Sequence, residues 1–475
     1  MKKLLGLVLI VSHLTVQGQQ SDLYYAKGKQ YYENNQFREA LYFLRKYIML
    51  DSSRAEVFKW RGNCYVSLNQ PDSALLDYQK ALALTQSMPE LHYNLSNVYG
   101  SLNRHQESER HLRTFLSHAP NDIDGILQLV RILQGKRNDS SLFYLEKAYH
   151  LDSTNQYSLN LLGWEYFYRG YAGKALEIAL HSRKTFLYTN ELLPLEAYAY
   201  LGTGRYDDAI RVADSLISKT PEPMPFYVIK VKAEILQNTS RDVFRDGSEL
   251  KFRWIASENI KQLDSVILQR GHRYEYAVLR ERFRNNFATM AVDEIFMAYY
   301  GSSSEKTFSP YSTQANDLRR LFEEDNYEGV ITECNRILEK DPFNLRVLES
   351  LALGQYSLKD FVSFQATLKR YVGIVEGILA TGTGESEDSA YIVISPVHEY
   401  DVLAYVGGES VSQALANNNG HAYDILSIKT ETGEEDKLYF NIDKPMQSLR
   451  VLFDKTPDGK KEKAKRKKNR KRAAG

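Results

Sequence analysis

Residues Ala55 to Met88 read AEVFKWRGNCYVSLNQPDSALLDYQKALALTQSM, and their small and aromatic residues fall where a helix-turn-helix unit needs them. Counting Ala55 as the first place, Phe58, Gly62, Tyr65, Ala74, Tyr78 and Ala81 take the fourth, eighth, eleventh, twentieth, twenty-fourth and twenty-seventh. Gly62 and Ala74 are small enough for two helices to approach closely. The aromatics fill the space beside them and grip the next unit.

The same places recur on both sides. Residues Ser21 to Arg54 carry Tyr24, Gly28, Tyr31 and Ala40 in register, with Asn34-Asn35-Gln36 as the turn between helices. Residues Pro89 to Asp122 keep Leu95, Tyr99, Leu112, Phe115 and Pro120, with Ser96 and Ser108 as small replacements for Gly and Ala. Units starting at 21, 55 and 89 share a spacing of 34 residues. The pattern resembles the tetratricopeptide repeat, a helical hairpin that stacks into a solenoid and offers a concave binding face. Ser52 stands where that repeat usually has Pro.

A fourth unit, Ile123 to Asn155, is degenerate but keeps Leu133 and Ala148. A fifth from Gln156 shows Gly163, Tyr166, Gly170 and Ala175, and a sixth, Asn190 to Pro223, shows Tyr200, Gly204, Ala209 and Ala213. A helix from Pro225 to Gln237 then covers the last repeat, so residues 19–237 are expected to form six repeats and a cap. Residues 238–310 read as an irregular helical segment ending in a Ser-rich loop, and 311–380 as repeat-like helices, with Leu318, Leu321, Tyr327, Cys334, Leu338 and Pro342 in place. In 381–455 the runs SAYIVIS, YDVLAYV, YDILSIK and DKLYFNI read as four strands, with a helix between strands at Ser410 to Asn417. The expected fold class is mainly α: a tetratricopeptide-type solenoid, a helical segment, and a small C-terminal α+β domain with a four-stranded sheet.

MAYYG, SPYS, TGTGESEDSAYIVI, HEYDVL, YDILSI and LYFNI, spread over about residues 289–442, together look like a domain of unknown function found in secreted and periplasmic proteins of Bacteroidetes. That resemblance implies a Gram-negative envelope setting and supplies no activity.

The start, MKKLLGLVLIVSHLTVQGQQ, reads as a secretory signal peptide over residues 1–18, with the mature chain beginning at Gln19. The apolar run falls short of the ~20 residues a bilayer span needs, and no Cys follows it to carry a lipid anchor. Cys64 and Cys334, both inside expected repeat helices, read as two buried thiols rather than a disulfide. The net charge of +1 conceals an asymmetry: Lys460 to Arg472 contributes +9, leaving −8 for the remainder. Residues 456–475 are therefore expected to form a disordered basic tail that attracts polyanions through Lys465, Arg466, Lys467, Lys468, Arg470, Lys471 and Arg472. With a signal peptide upstream and no aromatic residues interleaved, anionic lipid or lipopolysaccharide phosphates fit this tail better than nucleic acid. A solubilising tail without a ligand fits the composition equally.

Signatures of catalysis are scarce. HExxH, GxSxG, GxxxxGK and CxxC are all missing, and the sequence calls for no metal, cofactor or catalytic residue. Gly382 and Gly384 read as a tight turn rather than a dinucleotide loop. His398, Glu399 and Asp401 are the nearest thing to an acid-base cluster; on a strand, His398 faces away from the two carboxylates, and all three read as solvated strand-end residues.

The better candidate is the concave face of the repeats, where Lys59, Asn63, Tyr93, Asn97, Arg131, Asn160, Trp164 and Tyr198 stand, alongside Tyr25, Lys29 and Tyr32. Lys59, Asn63, Asn97 and Arg131 resemble the carboxylate clamp by which some tetratricopeptide domains hold a peptide's C-terminal acid. Leu127 departs from it, since the clamp has a second Lys there. Asn is common at such places, so ordinary repeat surface is the competing reading. The function expected is an exported, non-enzymatic scaffold that binds an unidentified protein or peptide in its groove. The alternatives are an envelope enzyme acting through the C-terminal α+β domain and, if the signal peptide is misread, a cytosolic nucleic-acid binder.

Overall fold

The structure is a computed structural model describing residues 19–455 apart from 86–87, 135–138, 187–191, 239–242, 247–248, 253–259, 306–307, 311–314, 419 and 430–434. The signal peptide and the basic tail expected from the sequence lie outside the described residues. The chain forms two compact units dividing between Leu162 and Gly163.

The first unit is a stack of helical hairpins: α1 (residues 19–33) with α2 (Phe37–Leu50), α3 (Ala55–Ser67) with α4 (Pro71–Leu84), α5 (Glu90–Ser101) with α6 (His105–His118), and α7 (Ile123–Gln134) with α8 (Asp139–Leu151), followed by the start of α9 (Gln156–Tyr168). Each of the first three hairpins turns at an Asn with left-handed backbone: Asn35, Asn69 and Asn103 have φ of 58°, 55° and 57°. The next amide reaches back to the carbonyl five residues earlier, Gln36 to Tyr31, Gln70 to Tyr65 and Arg104 to Tyr99, at 2.8–2.9 Å. This closure satisfies carbonyls that the helix end would leave orphaned, and Asn is among the few residues that accept the left-handed conformation.

Close packing inside a hairpin accounts for the small residue at the eighth place. A Cβ on Gly62 would lie 2.6 Å from the Tyr78 ring, and one on Gly28 would lie 2.8 Å from Leu44. In the third hairpin, where Leu112 replaces the tyrosine, Ser96 and Ser108 fill the gap with a buried hydroxyl pair at 3.0 Å, and the Ser108 hydroxyl donates to the Ser96 carbonyl at 2.8 Å. Arg61 binds Asp77 through both carboxylate oxygens at 2.6 and 2.7 Å, tying α3 to α4. Cys64 is a free, buried thiol in this core.

The second unit continues with α10 (Ala172–Thr185), α11 (Leu193–Gly202), α12 (Tyr206–Ile217) and α13 (Met224–Gln237). Gly170 and Gly204 take the left-handed turn position there, with φ of 79° and 75°. Helix α13 packs on α12 and also on α20 (Phe361–Leu379), through Tyr227 against Phe364, Lys232 to Glu376 at 2.6 Å and Lys369 to Glu234 at 3.1 Å. Between them lie a β1–β2 hairpin (Val243–Asp246, Glu249–Phe252), α14 (Ile260–Leu268), α15 (Tyr276–Asn285), α16 (Val292–Ser302), α17 (Ala315–Glu323), α18 (Tyr327–Leu338) and α19 (Leu345–Ser357). The hairpin corrects the all-helical expectation for 238–310: its strands pair antiparallel with Val243 opposite Phe252.

Helix α16 is buried along its whole length. It lies close against α20 because Gly373 and Gly377, one helical turn apart, leave no side chain between the two; a Cβ on either would meet Ile295, Phe287 or Phe296 at 3.0 Å. The pairs α17–α18 and α19–α20 turn at Asp325 and Lys359, with φ of 52° and 60°, again 34 residues apart. Cys334 is free and buried in the core of these pairs.

The C-terminal sheet has the order β3-β6-β5-β4, with β3 (Tyr391–Ile392) parallel to β6 (Glu435–Asn441), while β5 (His421–Lys429) is antiparallel to both β6 and β4 (Glu409–Asn418). Helix α22 (Asp443–Lys455) follows. Four strands were expected, but one is elsewhere: YDVLAYV belongs to helix α21 (Val397–Tyr405), and Ser410 to Asn417 lies within β4. Helix α21 is buried on more than one side, which erases the amphipathic period. Edge strand β4 is exposed on both faces, which erases strand alternation. Gly382 and Gly384 form a turn in which the amides of Thr383 and Gly384 both donate to the Ser389 carbonyl.

Candidate functional site

In the first unit the first helices of successive hairpins are joined by a ladder of polar and aromatic contacts. The Trp60 indole donates to the Tyr25 hydroxyl at 3.3 Å and packs edge-on against Tyr32. Lys59 reaches Glu90 at 3.1 Å, Asn94 donates to Asn63 at 3.3 Å, and Gln128 donates to Asn97 at 2.6 Å. The Tyr78 hydroxyl also donates to Asn63, at 2.7 Å. Lys59, Asn63 and Asn97 are thus brought onto one run of helices, each with a protein partner.

Arg131 is exposed on α7, and Asn160 is half-buried on α9. Tyr93 packs against Phe115 with ring centroids 5.2 Å apart, joining the cluster around Leu112, Leu129 and Leu133. Leu127, the departure from the clamp, is a core residue. Glu90, which pairs with Lys59 on this run of helices, was missed as a groove residue. In the second unit Trp164 stacks on Tyr168 at 5.7 Å and lies edge-on to Tyr198 at 6.0 Å.

The cluster at His398 differs from its reading. His398, Glu399 and Asp401 sit on helix α21 and are all buried, so they are neither strand residues nor solvated. Pro396 precedes the helix and fixes its start. The Tyr299 hydroxyl accepts the Ile394 amide at 3.0 Å and lies 2.8 Å from His398 Nδ1. The hydroxyl can donate its own hydrogen to Nδ1 of the neutral ring, an arrangement that leaves the imidazole proton on Nε2. Burial, and then the charge of Arg346, lower the His398 pKa to about 3, so the ring is neutral.

Glu399 and Asp424 face one another across α21 and β5. Burial and the neighbouring Asp424 charge raise the Glu399 pKa to about 9, so Glu399 holds its proton at neutral pH. Gln413 donates to Asp424 Oδ2. Burial raises Asp401 to about 7, against the lowering effect of Arg346, whose Nε lies 3.8 Å away.

Beside His398 is a cavity of about 330 Å³. Phe308, Leu318, Phe322, Val347 and Ile394 form its apolar wall, and Asp341, Arg346, Glu349 and His398 supply polar groups. Sequence reasoning missed Asp341, Arg346 and Glu349, which lie in a helix-loop-helix stretch that reads as ordinary repeat. Among the described residues no group of three or more His, Cys, Asp or Glu is arranged to hold a metal ion, and no helix is long and apolar enough to cross a membrane.

The hairpin stack, its left-handed turns and its ladder of first helices define a tetratricopeptide-type helical solenoid followed by an α+β module. The family described as TPR repeat matches residues 62–103, and Domain of unknown function (DUF4919) matches residues 261–450. No protein of curated function matches the chain. Among solved structures it is similar to PilF of Pseudomonas aeruginosa, at 18% identity over 44% of this chain and 96% of that one, with a TM-score of 0.37. It is similar to YrrB, a TPR protein with an unusual peptide-binding site, at 21% identity over 38% and 95%, with a TM-score of 0.35. It is also similar to PilW, a type IV pilus biogenesis factor, at 17% identity over 43% and 96%, with a TM-score of 0.35.

Proposed function

We propose that this protein is an exported, non-enzymatic scaffold of the cell envelope that holds a protein or peptide partner on the first-helix face of its N-terminal repeats. The observation that carries this reading is the ladder itself. Four consecutive first helices present polar and aromatic side chains in line, at separations of 31 to 35 residues, where a closed core would present aliphatic ones. A partner's extended chain can meet this row one hairpin at a time. In this reading Lys59, Asn63, Tyr93, Asn97, Arg131 and Asn160 contact a partner in the first unit, and Trp164 and Tyr198 are contact residues of the second unit considered by itself. The basic residues between Lys465 and Arg472 add attraction to anionic lipid or lipopolysaccharide at the membrane.

The test is capture of a partner from the native envelope by the mature chain, by a Lys59→Glu/Arg131→Glu variant, and by a version lacking residues 460–472. Loss with the charge reversals alone supports the repeat face. Capture retained with both reversals overturns it, and loss with the truncation alone moves binding to the tail.

The second reading, an envelope enzyme acting through the C-terminal module, takes its support from the enclosed neutral His398 beside a cavity. His398→Ala abolishes turnover under that reading and leaves partner capture unchanged under the first.

A further inference from the structure

A second pocket, of about 200 Å³, lies wholly in the second unit and shares no lining residue with the cavity beside His398. Phe283, Leu338, Pro342 and Leu348 give it an apolar wall, and Arg284 of α15 and Arg370 of α20 supply two cations. Each guanidinium is held by a main-chain carbonyl. Arg370 Nη2 donates to the Arg284 carbonyl in the last turn of α15 at 3.1 Å, and Arg284 Nη2 donates to the Glu339 carbonyl just past the end of α18 at 2.7 Å. A guanidinium stays charged and has more N–H donors than one such bond uses. The bonds therefore orient both side chains and leave their charges unmatched.

Neither arginine forms an ion pair among the described residues. Glu339, the one acid lining the pocket, has an exposed side chain and is paired with neither of them. Burial alone acts on Arg370, pushing its guanidinium below the ordinary value, and no carboxylate offsets it. Arg61 is desolvated too, but its bonds to Asp77 hold it above that value. The rule that a desolvated charge has a partner is met at Arg61 and unmet at Arg370.

We propose that this pocket is a binding site for a small organic oxyanion, a carboxylate or phosphate-type group on a compact apolar body, with Arg370 and Arg284 receiving the oxygens and Phe283, Pro342 and Leu348 receiving the body. A carboxylate or phosphate accepts two parallel bonds from one guanidinium, and the ligand's charge supplies what the protein does not. The volume lies below the ~300–1,000 Å³ range of drug-sized ligands, which restricts the body to about one ring. A neutral ligand of the same shape gains the apolar contact alone, and a cation meets two guanidinium groups.

Four probes of similar shape test this on the full chain by calorimetric titration at neutral pH: benzoate, phenylphosphonate, benzamide and benzamidine. At least one of the two anions is expected to bind at least about tenfold more tightly than benzamide, a difference that charge-assisted hydrogen bonds readily supply, with benzamidine weakest. The tighter anion identifies the group the site takes. Arg370→Gln, checked for folding by thermal melting, should bring that anion down to the level of benzamide. The comparison of probes on the parent chain decides by itself if the variant does not fold. Benzamide or benzamidine binding as tightly as both anions, no binding by any probe, or anion binding that survives Arg370→Gln in the folded variant overturns the proposal.

Discussion

The Lys59 ammonium lies 3.1 Å from the Glu90 carboxylate of the next hairpin, so the cation that a carboxylate clamp would offer to a peptide is occupied by the protein's own acid. Glu90 is the more open partner, with half its side chain exposed against 19% for Lys59. A ligand carboxylate approaching Lys59 competes with Glu90 for the same ammonium. Glu90→Gln frees the lysine and is expected to strengthen binding of peptides ending in a free carboxylate over their amidated counterparts, as read by fluorescence anisotropy at fixed salt. Stability should move by less than about 1 kcal/mol, as for other solvent-exposed pairs. Unchanged anisotropy in the variant removes Lys59 from the ligand surface.

Gly62 is held small by Tyr78, whose ring a Cβ would approach to 2.6 Å. Gly62→Ala gains helix propensity but forces a fully buried ring aside, for a net loss of about 1–3 kcal/mol. Tyr78→Leu, which copies Leu112 of the next hairpin, should relieve the clash and recover most of that loss in the double variant. Hydrogen exchange on the full chain resolves the effect to α3 and α4. Additive losses in the double variant would show that the ring is not what excludes the methyl.

What the sequence revealed follows from how locally each feature is determined. The hairpin turns were legible because a left-handed residue must be Asn, Gly or another tolerant type, and Asn35, Asn69 and Asn103 announce it at a fixed spacing. Three of the four strands in the C-terminal sheet were legible from β-branched and aromatic runs. The identity of one was not, because Val402 and Leu403 of YDVLAYV are buried on a helix enclosed by other elements, while Val411 and Leu415 of β4 are exposed. Periodicity reports a boundary between water and core, and neither segment has one. The cavity was hidden for another reason: Asp341 and Glu349 are brought to His398 by packing between elements some fifty residues apart, and no local pattern records that.

Tyr299 serves two groups at once, accepting from the Ile394 amide and sharing a hydrogen bond with His398 Nδ1. Tyr299→Phe leaves a buried amide and a buried imidazole nitrogen without partners, at a cost of about 2–4 kcal/mol in total. A structural effect alone lowers the melting temperature. The specific expectation is that the imidazole also loses its fixed tautomer, so long-range proton–nitrogen correlation spectra should show the Nε2-protonated pattern of His398 in the parent and a mixture in the variant. A mixture already present in the parent would refute the assignment.

The Glu399 and Asp424 pair sets a pH dependence whose direction follows from the raised pKa. The folded chain holds the Glu399 proton up to about pH 9, whereas the unfolded chain releases it near the ordinary value of 4.5. The favourable contribution of the protonated pair is therefore complete below the unfolded value. It declines as pH rises through the window between the two, at on the order of 1 kcal/mol per pH unit, and is flat above the folded value. Glu399→Gln keeps the shape, supplies an amide donor to Asp424 and removes the titration. Parent and variant should melt at similar temperatures near pH 4. Near pH 8 the variant should melt several degrees higher, because it no longer pays to keep a proton on a buried acid. Parallel melting curves across that range would mean that folding does not raise the Glu399 pKa, and a lower melting point for the variant at pH 8 would mean that Glu399 is folded as a carboxylate.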